Sequence, residues 1–105
     1  MVSENIRAMI PQIQQYLTGQ PIKRAWLFGS SSRGEERPDS DIDILVQYDE
    51  SAGISLFTIS RMMIQMKKLL GHDVDLVELD RLLPFAAESA NHDKILIYER
   101  KNYVV

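Results

Sequence analysis

The sequence contains no cysteine, which excludes disulfide bonds, thiolate metal ligands and cysteine nucleophiles and fits a cytoplasmic location. Its two histidines lack a spaced partner of the kind that zinc sites use. No apolar run approaches the roughly 18 residues of a membrane span, and no signal peptide is visible at the N-terminus. Lys and Arg number 12 against 15 Asp and Glu, without a basic tract. We therefore expect neither membrane insertion nor direct nucleic-acid binding.

What the 105 residues do contain is an ordinary globular composition, 45% hydrophobic and 26% charged. This length predicts one small domain over residues 1–105 with a modest core. Hydrophobic periodicity predicts helices over 3–18, 30–36, 55–70 and 80–92, alternating with strands over 22–28, 41–48, 73–78 and 95–99. Such alternation is typical of the α/β or α+β class.

The first predicted helix contains a proline, and its exact start therefore stays open. Pro11 either kinks the first helix or marks its start, because proline lacks the N–H that a helix interior needs. The third helix is the clearest, with one apolar stripe. The apolar stripe of this third helix consists of Ile59, Met62, Met63, Met66, Leu69 and Leu70.

A turn is predicted before the second strand, because Pro38, Asp39 and Ser40 are residue types that favour turns.

The most informative stretch begins with Gly29 and Ser30, directly after the first predicted strand. A glycine-serine turn offers backbone N–H groups and a hydroxyl to a phosphate. Asp41 and Asp43 follow at the entrance of the second strand, where alternate side chains share one face. Two like charges on one face repel each other, and a bound Mg²⁺ or Mn²⁺ would offset that repulsion. Metal and phosphate side by side indicate chemistry on a nucleoside triphosphate.

A third carboxylate lies on the third predicted strand. If that strand lies beside residues 41–48, Asp75 can join the first two carboxylates, and three such groups could hold two divalent ions. Asp73 would share the face of Asp75, about 6.7 Å along the strand. Spacing alone leaves open which of the two is the ligand.

The spacing of these motifs resembles the DNA polymerase beta-like nucleotidyltransferase superfamily, and the Ser-Asp-Ile-Asp-Ile-Leu-Val and Val-Asp-Leu-Val strings resemble its minimal branch. The resemblance implies a small mixed sheet of about four strands flanked by helices. It also implies that Asp41, Asp43 and Asp75 are catalytic metal ligands, and that Gly29 and Ser30 hold the triphosphate of ATP.

The same resemblance implies a partner. Minimal nucleotidyltransferases are commonly encoded beside a helical HEPN-domain protein, and the pair resembles a toxin–antitoxin system in which the partner is adenylylated. We also expect Arg33 to reach the triphosphate. Larger family members carry an added acceptor-binding domain, which residues 1–105 lack. The acceptor site is therefore expected to come from a partner or a second copy.

Three functions are compatible with these residues. The first is a Mg²⁺-dependent enzyme that transfers AMP from ATP onto a hydroxyl of a HEPN-type toxin. The second is a non-catalytic antitoxin that neutralises its partner by occlusion. The third is a small-molecule transferase, for instance one acting on an aminoglycoside. Whichever holds, we expect a bulky side chain at Gly29 to impair nucleotide binding far more than loss of the Ser31 hydroxyl.

Overall fold

The computed structural model describes residues 2–35, 37, 40–81 and 92–100. The helices of this part of the chain are α1 (Glu4–Thr18), α2 (Ser30–Arg33) and α3 (Leu56–Leu70). The strands are β1 (Ile22–Leu27), β2 (Ile42–Tyr48), β3 (Val74–Glu78) and β4 (Ile95–Glu99). Short 3₁₀ turns cover Glu50–Ala52 and Leu79–Arg81.

The four strands form one mixed sheet in the order β3-β2-β1-β4. β1 runs antiparallel to both β2 and β4, whereas β2 and β3 are parallel. A parallel pair needs a crossover, and α3 provides it between β2 and β3. The predicted α+β class with a four-stranded mixed sheet is confirmed. The condition for a shared carboxylate face, that β3 lies beside β2, is also met.

The main core lies between one face of the sheet and the helices α1 and α3. Alternation along β2 sends Ile42, Ile44 and Val46 into this core, where each is at most 2% exposed. The even-numbered positions of β2 therefore face the helices, and Asp43 and Leu45 face the other side of the sheet. Helix residues complete the core, notably Ile6, Ile13, Leu17, Met62 and Met66.

Helix α1 begins after its N-cap Ser3, whose hydroxyl accepts the Ile6 N–H, and it runs through Pro11 without interruption. A start near Pro11 is therefore wrong. Pro11 is exposed, as is Arg7 one turn earlier, whose carbonyl loses its helical N–H partner to the proline. The proline therefore lies on the solvent side of the helix, where the buried packing of α1 is not disturbed.

Other predicted elements are shortened, shifted or not covered. α2 ends at Arg33 rather than residue 36, because Gly34 follows in the left-handed conformation. Four residues of the predicted apolar stripe of α3 contribute to the core, whereas Met63 is half-buried and Leu69 is 45% exposed. The four are Ile59, Met62, Met66 and Leu70. Of the predicted turn, Pro38 and Asp39 lie outside the described residues. Most of the predicted helix over 80–92 lies there too.

The opposite face of the sheet carries a second, smaller apolar cluster. Trp26 and Leu45 are buried there, with Phe28, Val77 and Leu79 packed around them. The Lys94 ammonium lies 5.0 Å from the centre of the Trp26 ring, within cation–π distance. This face therefore pairs an apolar patch with the carboxylates of β2 and β3. In the described ranges no helix is long and apolar enough to cross a membrane.

Candidate active site

The candidate site begins where β1 ends. The Phe28 N–H donates to the Asp43 carbonyl at 3.2 Å, and the chain then turns away from the sheet at Gly29. Gly29 has φ +61° and ψ −145°, a conformation that side chains strongly disfavour. The Ser32 hydroxyl of α2 donates to the Gly29 carbonyl at 2.8 Å and stabilises the turn. The predicted glycine-serine turn is thus a defined backbone structure beside Asp43.

The sheet brings the carboxylates of β2 and β3 together. In the parallel register Asp43 is paired with Asp75, and paired residues of neighbouring strands lie about 4.8 Å apart with their side chains on one face. Asp41 stands just before β2 and is exposed, as is Asp75, whereas Asp43 is half-buried. The three predicted residues therefore share one end and one face of the sheet.

The electrostatics of Asp43 show that these charges interact. Burial is the main cause that raises the pKa of the Asp43 carboxyl above its ordinary value, and the charges of Asp75 and Asp41 raise it further. The Arg33 charge acts in the opposite direction and lowers that pKa. A half-buried carboxylate with two like-charged neighbours is a site where positive charge would be favourable.

Asp73 and Asp75 differ in what surrounds them. The Asp73 carboxylate forms a 2.9 Å ion pair with the Lys67 ammonium, at the end of α3. Its backbone carbonyl accepts the Ile42 N–H at 2.8 Å, so Asp73 serves the junction of α3 and β3. Asp75 instead acts on Asp43 through its charge. The geometry supports Asp75 as the third member of the cluster.

Arg33 lies at the end of α2 and contacts two acidic side chains. Its guanidinium forms ion pairs with Glu35 and with Asp93, the latter at 2.9 Å. These ion pairs partly neutralise the Arg33 charge that a phosphate would otherwise meet. Ser30 is half-buried at the start of α2, and its carbonyl accepts the Glu35 N–H at 3.0 Å.

The sequence did not reveal that Ser31 contacts Asp43. Its side chain is fully buried, and its hydroxyl oxygen accepts the backbone N–H of Asp43 at 3.1 Å. No signal could have distinguished it, because it is the middle of three consecutive serines and its partner is 12 residues away. That loss of the Ser31 hydroxyl impairs nucleotide binding far less than a bulky side chain at Gly29 stays a prediction, but the structure gives Ser31 a direct contact with Asp43.

The carboxylates have the donor chemistry of a divalent-cation site but not the closed arrangement of one. Carboxylate oxygens are the ligands that Mg²⁺ and Mn²⁺ prefer. Across residues 2–35, 37, 40–81 and 92–100, no group of three or more His, Cys, Asp or Glu side chains is arranged as a ready metal site. Binding of a cation would thus require small side-chain movements of Asp41, Asp43 or Asp75.

Comparison with known proteins decides the family. A family model described as polymerase beta, nucleotidyltransferase matches residues 11–103. The chain belongs to this nucleotidyltransferase family. The match includes the glycine-serine turn and the carboxylates of β2 and β3, so the resemblance based on those motifs is confirmed. The chain is accordingly an enzyme of the nucleotidyl-transfer class.

Individual members of the family agree with this assignment. A Methanocaldococcus jannaschii protein named as a protein adenylyltransferase is 36% identical over 80 residues, covering 76% of this chain and 84% of that protein. A solved structure described as a minimal nucleotidyltransferase is 34% identical with a TM-score of 0.75, covering 90% of this chain and 95% of the other.

A more distant structural relative shares the fold. The complex of a tri-AMPylated Shewanella oneidensis HEPN toxin with its MNT antitoxin matches with a TM-score of 0.66 at 18% identity. The match covers 90% of this chain and 73% of that one.

Proposed function

We propose that this nucleotidyltransferase transfers AMP from ATP onto a hydroxyl of a HEPN-type toxin and acts as its antitoxin. The observation that carries the proposal is the pairing of Asp43 with Asp75 across parallel strands, directly beside the Gly29 turn. The name of the M. jannaschii relative supports adenylyl transfer to protein. The AMPylated HEPN toxin in the S. oneidensis complex supports the class of acceptor.

In this proposal Asp41, Asp43 and Asp75 would hold the divalent cation. When bound, the cation would neutralise charge on the triphosphate and on the leaving pyrophosphate. The residues fit that task because burial, and after it the charges of Asp75 and Asp41, raise the pKa of Asp43, and a bound cation would offset both effects. Gly29 and Ser30 would hold the phosphates, since the turn brings backbone close to the carboxylates with no intervening side chain.

The reaction balances as an in-line displacement. The acceptor oxygen forms a bond to the α-phosphorus of ATP, the bond between that phosphorus and the bridging oxygen breaks, and pyrophosphate leaves. The hydroxyl proton passes to a carboxylate of the site or to water. Because positioning supplies much of the rate in phosphoryl chemistry, the surface that holds the acceptor is as important as the carboxylates.

The proposal is tested with ATP labelled at either the α- or the γ-phosphate, in the presence of Mg²⁺ and a HEPN-domain protein. We expect α-label, and no γ-label, on the HEPN-domain protein, and loss of labelling with Asp43→Asn. γ-Label on the acceptor would indicate a kinase reaction instead. A stable complex without any label would favour neutralisation by occlusion and contradict the proposal.

A further inference from the structure

The Ser31 hydroxyl oxygen accepts a backbone hydrogen bond that a carbonyl of β1 would accept in a regular sheet. In an antiparallel ladder, every second pair of opposite residues exchanges two backbone hydrogen bonds. β1 turns away after Phe28, whose N–H still donates to the Asp43 carbonyl at 3.2 Å. The return bond from the Asp43 N–H goes instead to the Ser31 hydroxyl oxygen at 3.1 Å. A side chain of α2 thus completes the sheet at the residue that carries the central carboxylate.

Two further hydrogen bonds lie on either side of this link. On the other edge of β2, the Ile42 N–H donates to the Asp73 carbonyl at 2.8 Å, which fixes the strand to β3. Ser32, the next residue of α2, donates its hydroxyl to the Gly29 carbonyl at 2.8 Å. One serine of α2 therefore holds the Gly29 turn, and the other holds Asp43.

The burial of Ser31 determines how it can act. Its side chain is fully enclosed, so it is shielded from any ligand at the surface of the site. Its described hydrogen bond leads to the Asp43 backbone. The Ser31 side chain can therefore influence the chemistry only by fixing where Asp43 lies.

We propose that Ser31 is a positioning residue that fixes Asp43 relative to the Gly29 turn, and so sets the distance between metal and phosphate sites. The proposal rests on the proposed function, since it takes Asp43 as a metal ligand. Space is tight at this point, because a methyl group at Gly29 would lie 3.1 Å from Asp43 Oδ2. A small shift of the β2 backbone would therefore move the carboxylate into or away from the turn.

The chain offers a matched control. Ser31 and Ser32 are adjacent, 0% and 3% exposed, and both are on α2. Alanine removes one buried hydroxyl from either position, but only the Ser31 variant removes a bond to Asp43. General destabilisation should thus affect both variants, whereas loss of positioning should be specific to Ser31→Ala.

The test measures Mn²⁺ affinity by electron paramagnetic resonance, together with thermal unfolding and hydrogen exchange at the Asp43 amide. We expect Ser31→Ala to weaken Mn²⁺ binding about tenfold, as loss of an outer-sphere support typically does, and to accelerate exchange at that amide. Ser32→Ala loosens only the Gly29 turn, so Mn²⁺ affinity measured without nucleotide and exchange at the Asp43 amide should stay within about twofold of the wild type. Should Ser31→Ala fail to fold, Ser31→Cys fills the space with a slightly larger atom while replacing the oxygen by a weak acceptor.

The outcomes distinguish failure of the positioning role of Ser31 from failure of the proposed metal site. Equal Mn²⁺ affinities for the Ser31 and Ser32 variants, or unchanged exchange at the Asp43 amide, would overturn the positioning role. Asp43→Asn is the reference, because it removes the carboxylate itself. If Asp43→Asn also leaves Mn²⁺ affinity unchanged, the metal site of the proposed function is wrong and the positioning role fails with it.

Discussion

At the scale of single residues, two opposing effects act on Asp43. Its backbone is held by Phe28, Ser31 and the sheet, whereas its side chain is half-buried beside two other carboxylates. Folding therefore brings like charges together where water is partly excluded, which is unfavourable for stability by itself. Such a conflict is typical of functional sites, where stability is reduced in favour of chemistry.

The raised pKa of Asp43 predicts a pH-dependent gain from Asp43→Asn. A raised pKa means that the folded state holds the proton more tightly than the unfolded state, so the ionised group destabilises the fold above its folded-state pKa. In thermal unfolding with EDTA at pH 7, the Asp43→Asn variant should melt at a higher temperature than the wild type. The difference should shrink as the pH approaches the ordinary value of 3.8.

Asp49 provides the control of opposite sign. Hydrogen bonds from the Ser51 hydroxyl and from Arg100 lower the pKa of its carboxyl. Its stabilising effect is present above the ordinary pKa and is lost as the pH falls through the lowered value. Asp49→Asn should therefore lower the melting temperature at pH 7. A loss of stability for both variants at pH 7 would contradict the account of Asp43.

Gly29 yields a prediction in which two causes add. A residue with a side chain disfavours φ +61° with ψ −145°, and its Cβ would lie 3.1 Å from Asp43 Oδ2. We expect Gly29→Ala to lower the free energy of unfolding by about 1–3 kcal/mol and to weaken binding of a non-hydrolysable ATP analogue. Gly19→Ala is the matched control, since nothing lies within 4 Å of its added methyl group. Equal effects of the two variants on nucleotide affinity would leave the turn without a special role.

At the scale of elements, periodicity predicted most of the fold, because each helix and strand buries one regular face. The register of β2 against β3 was beyond the sequence, since it depends on the sheet order and on the path of α3. Asp41 and Asp43 could be proposed as site residues from residue type and spacing, and that assignment stays a prediction. The contact of the Ser31 hydroxyl with the Asp43 backbone could not be predicted, because it depends on how distant residues meet in space.

Helix α3 allows a direct check of which face supports the core. Met62 is fully buried, whereas Ile64 is 57% exposed two residues later. Chemical denaturation should show Met62→Ala costing about 2–5 kcal/mol of unfolding free energy, because it leaves a cavity. Ile64→Ala should stay within about 0.5 kcal/mol of the wild type. Similar losses at both positions would mean that α3 is rotated from its described orientation.

At the scale of the whole molecule, the carboxylates lie at an open end of the sheet, where Asp41 and Asp75 are exposed. An open site can bind nucleotide and cation, but within the described part of the chain it gives a small diffusing acceptor little to hold it near the α-phosphorus. We infer that the acceptor protein itself supplies the missing surface, contacting the region of residues 29–43 and Asp75.

This inference predicts the preference among acceptors. The chain with ATP and Mg²⁺ should modify an aminoglycoside slowly or not at all, while labelling a HEPN-domain protein readily. Product formation is followed by mass spectrometry for both acceptors under the same conditions. Rapid adenylylation of the aminoglycoside with no labelling of the protein would favour the small-molecule reaction instead.

The most direct test of the central claim compares Asp75→Asn with Asp73→Asn in the AMP-transfer assay. The two substitutions are chemically identical and two residues apart, but Asp75 is paired with Asp43 and Asp73 with Lys67. The account predicts that Asp75→Asn abolishes AMP transfer to the HEPN-domain protein and that Asp73→Asn retains most of it. The reverse ranking would contradict the assignment of Asp41, Asp43 and Asp75 as one catalytic cluster.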